Sequence, residues 1–148
     1  MLRINYTAVL VSAILYWMLG ALWYSPLLFA GKFIELTGWT PQQLEAIQAA
    51  GTGKLVAGAF ISSLVLAYVL AHFVRFTRSE TALDGARTGF WLCLGFVLTS
   101  NLETVLFENR PLGLYLINNG YHLAGFLMMG ALLGAWKRRE SPVLAYES

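Results

Sequence analysis

Charge is what this sequence has least of. Asp, Glu, Lys and Arg make up 12% of its 148 residues, against about 25% in soluble domains. A net charge of +2 is too small to suggest a nucleic-acid partner. Cysteine is nearly absent. The single Cys93 has no mate for an internal disulfide and reads as a small buried hydrophobe. The two histidines and Cys93 fall at different depths, so the convergent ligands of a metal site are missing. No nucleophile elbow, phosphate loop or paired intramembrane carboxylates occur. These absences count against an enzyme and imply no cofactor.

Long apolar runs fill the chain instead. Residues 4–30, 55–74, 88–107 and 112–136 form four of them. Their only charged residue is Glu103, with His72 and His122 taken as neutral. About 20 apolar residues cross a hydrocarbon core of about 30 Å. The expected fold is all-α: an integral membrane four-helix bundle, one domain over 1–148. Its helices are expected at about 4–25, 53–76, 83–107 and 111–136. The first run is longer than the roughly 7–15 residues of a signal-peptide core, so it reads as a retained helix.

The segment 26–52 reads as an outer loop holding one or two short interfacial helices. Ser25-Pro26 can end the first helix and cap a second, running to Thr37 and closed by Gly38. Thr40-Pro41-Gln42-Gln43 has the cap residue, N1 proline and N3 amide of a capping box. Trp23, Tyr24 and Trp39 suit the membrane interface. Thr81-x-x-Asp84 starts the third long helix.

Basic residues set the orientation. Arg3, Arg75, Arg78, Arg87, Lys137, Arg138 and Arg139 share one side; Lys32, Lys54 and Arg110 share the other. The excess places both termini in the cytoplasm. The lipid bilayer is the first partner. Gly130-x-x-x-Gly134 is a small-residue pattern that lets two helices approach, within the bundle or in a homo-oligomer.

Polar residues gather around one turn. Glu108-Asn109-Arg110 is so short that the last two helices must be antiparallel neighbours. Counting at about 1.5 Å per residue, Asn101 and Asn118 lie about 9 Å inside it and His122 about 15 Å, near mid-bilayer. Ser100, Asn101, Glu103, Asn118, Asn119, Tyr121 and His122 thus come from touching helices at nearly one level. Such groups need partners and normally face the bundle. Tyr24, level with the outer mouth, is placed to reach Glu103 or Asn101. Glu103 is a candidate partner for His122. His72, near the inner end of its helix, reads as an interfacial anchor.

Gly20-Ala21-Leu22-Trp23-Tyr24-Ser25-Pro26, then Phe29, Gly31, Lys32 and Thr37-Gly38, resembles the opening of a bacterial membrane family catalogued as domain of unknown function 1761. Asn118-Asn119-Gly120-Tyr121-His122 and the Gly130 to Trp136 ending are similar to its last helix. Ala30 lengthens the family's Phe-Gly-Lys spacing. The resemblance implies a small bacterial inner-membrane protein of about four helices, with no established activity. Small four-helix multidrug exporters match in size but depend on an acidic residue in the first helix, which is missing here.

Two functional readings follow. One is a transport or solute-binding component with an outward-facing polar site. The other is a structural or partner-binding subunit whose polar residues only tie helices together.

Overall fold

A computed structural model describes residues 4–136. Arg3 and the basic cluster Lys137-Arg138-Arg139, part of the charge asymmetry, lie outside the described residues. Within them the chain is all-helical, with no strand. The helices are α1 (Tyr6–Trp23), α2 (Ala30–Thr37), α3 (Pro41–Ala49), α4 (Thr52–Phe76), α5 (Ala82–Leu106) and α6 (Leu112–Ala135).

Local chemistry explains most boundaries. The Asn5 side chain accepts from the Thr7 and Ala8 amides and starts α1. Thr40 and Gln43 form the reciprocal capping box of α3. Thr81 Oγ1 accepts from the Asp84 amide and starts α5. Gly38 ends α2 at φ 67°, and Gly51 turns into α4 at φ 97°, conformations open mainly to glycine.

One boundary differs from expectation. α2 begins at Ala30, not Pro26, and Ser25 does not cap it. The Ser25 hydroxyl donates backwards to the Leu22 carbonyl at 2.7 Å, which also accepts the Ser25 amide, so both close the end of α1. Residues 26–29 then turn, with the Leu28 and Ala30 amides both donating to the Ser25 carbonyl.

Three helices, α1, α4 and α5, are long and apolar enough to cross a membrane. α6 is as long, but Asn118, Asn119, Tyr121 and His122 dilute its hydropathy. Large apolar side chains cover the outside, among them Ile61, Val65, Trp91 and Phe96. A protein in water hides such a surface; one in lipid does not need to.

α5 and α6 pack backbone to backbone. A Cβ on Gly85 would strike the Gly130 carbonyl, one on Gly89 the Phe126 carbonyl, and one on Gly134 the Thr81 carbonyl. The Gly130–Gly134 face, considered above for a second copy, is therefore filled by the chain's own α5. Glycine wins here because nothing larger allows that approach.

The buried core is lopsided. Ala8, Ala13 and Tyr16 from α1 meet Ala67, Leu70 and Val74 from α4, Cys93 from α5, and Phe126 and Met129 from α6. These lie towards the end that holds the start of α1, the α4–α5 turn and the end of α6. The bundle is zipped there. The opposite end, under α2 and α3, is loose: neither short helix contains a buried residue.

Candidate functional site

The site lies where the tight half of the bundle gives way to the loose half. On α1, Tyr16, Gly20 and Trp23 are spaced four and three apart and share a face. All three meet α6. Gly125 makes room for the Tyr16 ring, which a Cβ there would strike. Tyr16 is 3% exposed, and its hydroxyl hydrogen-bonds His122 Nδ1 at 2.7 Å. Tyr121 stacks on Tyr16 at 4.7 Å between ring centroids and donates to its backbone carbonyl at 3.2 Å. The Trp23 indole donates to the Ile117 carbonyl at 2.9 Å, and the Tyr24 hydroxyl to Asn118 Oδ1 at 2.8 Å.

The other wall is built through a π-helical segment, Cys93–Leu98, inside α5. A π turn carries one extra residue, which rotates everything beyond it by about 100°. In an unbroken α-helix, Ser100 and Glu103 would share a face with Gly89, being 11 and 14 residues on, within about 40° of it. Asn101 would point about 120° away. The extra residue reverses this. Asn101 Nδ2 donates to Asn119 Oδ1 at 2.9 Å, and Ser100 and Glu103 are exposed on the outside. The same segment leaves the Leu98 carbonyl to accept from the Tyr115 hydroxyl at 2.8 Å.

Between these walls and the α2–α3 arm is a cleft of about 640 Å³. Tyr24, Asn118 and His122 line it from α6 and the end of α1; Phe33, Ile34, Trp39 and Leu44 line the arm side; Arg110 stands at the turn. Of the residues singled out from sequence, Tyr24, Asn101, Asn118, Asn119, Tyr121 and His122 all line it. Ser100 and Glu103 do not. Two expected pairings are corrected: Tyr24 bonds Asn118, not Asn101 or Glu103, and His122 bonds Tyr16, not Glu103. His72 donates to the Tyr68 carbonyl from Nδ1 at 2.9 Å, within its own helix.

Tyr16, Tyr115 and the arm side chains escape a reading of the sequence for polar groups in apolar runs. The signal for Tyr16 is its spacing to Gly20 and Trp23. Tyr115 is one turn before Asn118 and Asn119.

Hydrogen-bond balance fixes the imidazole. Asn119 is closed off, 4% exposed, with its amide nitrogen on the Tyr115 carbonyl. His122 Nδ1 is the near partner of the Tyr16 hydroxyl, at 2.7 Å, and the Tyr121 hydroxyl is the other polar side chain beside it. If Nδ1 carried the hydrogen, the buried phenol would give up its 2.7 Å acceptor and turn to the Tyr121 oxygen, which already donates elsewhere, at a cost of up to about 1–3 kcal/mol. The phenol therefore donates to Nδ1, and the neutral ring carries its hydrogen on Nε2. Among the described residues Nε2 has no partner.

The family model described as protein of unknown function, DUF1761, matches residues 7–134. The chain belongs to the DUF1761 family. No curated protein and no solved structure matches this DUF1761 chain. The matched span includes every residue that builds the cleft.

Proposed function

We propose that this DUF1761 chain is a four-span bundle of the bacterial inner membrane that binds a small solute in the cleft, as a solute-binding or transport component. α6 is the fourth span. Its 24 residues reach about 36 Å, more than a hydrocarbon core of about 30 Å. Its polar residues turn towards α1, α5 and the cleft, which removes the cost of facing lipid. α2 and α3 lie on the outer surface, and both termini are cytoplasmic, as the distribution of basic residues supports. The cleft then opens outwards. Four helices enclose little space, so a full pathway would need more than one copy.

One observation carries the reading. His122 lines the cleft while its Nδ1 is held by a buried tyrosine from another helix. Residues that only tie helices together would pair and close, as Asn119 does. Cysteine accessibility tests this. In a Cys93→Ala background, Asn118→Cys should react with a membrane-impermeant methanethiosulfonate reagent applied outside, and Ala67→Cys, in the core, should not. A cysteine at 118 that fails to react from either side would end the proposal.

A second reading has its own support. Ser100 and Glu103 are exposed on an apolar helix beside Phe96, which is 72% exposed. Ionisable side chains rarely face lipid, so a partner subunit covering that face is the alternative. Native mass measurement in mild detergent separates the two: a solitary monomer argues against the partner.

A further inference from the structure

We propose that the ligand of the cleft is an uncharged amphiphile bearing hydrogen-bond acceptors, such as a carbonyl-carrying ring compound. This rests on the solute-binding reading above and narrows it to a chemical class.

Charge comes first. Among the described residues lining the cleft the one formal charge is Arg110, and its Nε donates to Glu108 at 2.7 Å. Glu103, the carboxylate nearest in sequence within the apolar runs, is outside the cleft. A cation in the cleft would meet no counter-charge, and the one cationic group an anion could meet, Arg110, already pairs with Glu108 at the turn. Burying an unpaired ion is strongly unfavourable.

Hydrogen-bond capacity comes second. With the Tyr16 phenol as donor across the 2.7 Å contact to Nδ1, His122 carries its hydrogen on Nε2. Asn118 gives its Oδ1 to Tyr24, so its Nδ2 hydrogens are free. The Thr104 hydroxyl already donates to the Asn101 carbonyl. Two free N–H donors therefore stand four residues apart on one face of α6. Asn101 Oδ1 is the one free amide acceptor among the cleft's asparagines. The unengaged N–H groups on α6 are the directional contacts that face the cleft, and a ligand that meets them supplies acceptors.

Shape comes third. Phe33, Ile34, Trp39 and Leu44 make the arm side apolar and aromatic. About 640 Å³ falls within the range of small-molecule pockets. A flat apolar body against the arm, with carbonyl oxygens towards His122 and Asn118, satisfies all three conditions.

Duroquinone and durene test the proposal: both are flat six-membered rings with four methyl groups, the quinone carries carbonyls where durene carries ring C–H, and the quinone's methyls leave no open ring carbon for thiol addition. Equilibrium dialysis compares nanodiscs holding the full chain with empty nanodiscs of the same lipid. After subtracting the empty discs, the protein should favour duroquinone by about tenfold, as one to two neutral hydrogen bonds give. His122→Phe and Asn118→Leu should each erase most of that preference, and Glu103→Gln should keep it. Tyr16→Phe, which releases the tautomer, should reduce it several-fold and serves if His122→Phe does not fold. Equal enrichment of the two probes by the native protein overturns the proposal, as does an unchanged preference in Asn118→Leu. If cysteine at 118 reacts yet the probes bind equally, the ligand class is wrong and the cleft stands. If the cysteine is inert and neither probe binds, both fall.

Discussion

The Tyr16 hydroxyl and His122 Nδ1 lie 2.7 Å apart, joining helices more than a hundred residues apart in sequence. That bond does two things. It satisfies a buried phenol, and it decides which imidazole nitrogen looks into the cleft.

Removing the phenol should therefore cost stability and order together. Tyr16→Phe is expected to lose about 1–3 kcal/mol, because Nδ1 loses its donor. Thermal unfolding in detergent reads the loss. An unchanged midpoint would mean the bond has no net worth.

The glycines separate by what they touch. Gly85→Ala should be the most damaging, since its Cβ meets a backbone carbonyl that cannot move aside. Gly125→Ala forces the Tyr16 ring to shift and should cost about 1–3 kcal/mol. Gly58→Ala meets nothing within 4 Å and should be neutral or stabilising by up to about 1 kcal/mol. Reversible unfolding in SDS gives the order, and a reversal between Gly58 and Gly85 would contradict the packing described.

The π segment makes a prediction of its own. Deleting Gly95, which has nothing within 4 Å of a built Cβ, should restore an α-helix and leave Asn101 facing Asn119. Paired cysteines at 101 and 119 should then cross-link in the deletion variant as in the parent. Cross-linking through position 102 or 105 in the deletion variant, or through 100 or 103 in the parent, would show that the extra residue does not set the phase.

Within the arm, α3 contains no buried residue and starts from a reciprocal capping box. Thr40→Ala should weaken α3 by about 0.5–2 kcal/mol. Hydrogen exchange should quicken over residues 41–49 and stay unchanged in α5 and α6. A protein-wide increase would mean the arm supports the whole fold.

Much of the fold is legible in the sequence because its signals are local. Apolar run lengths, the Thr40 and Thr81 caps and the short turn at Glu108 place the helices within a few residues. The polar set on α6 is legible because polar residues in a long apolar run must find partners. The inward face of α5 is not legible. It depends on one extra residue at Cys93–Leu98, and nothing in that stretch differs visibly from an ordinary apolar helix. Ser100 and Glu103 were expected inside for that reason. Tyr16 is hidden differently: an aromatic in an apolar run shows a hydroxyl role only once Gly125 and His122 are seen across from it. The cleft itself exists because the α2–α3 arm spans the loose end, which no residue spacing declares.

Nitrogen NMR of the His122 ring, in ¹⁵N-histidine-labelled protein in nanodiscs with His72→Gln to leave one signal set, tests the central claim most directly. The account predicts a neutral ring with hydrogen on Nε2, bare Nδ1, and exchange of that hydrogen with water. A hydrogen on Nδ1, or an Nε2–H sealed from water, would contradict it.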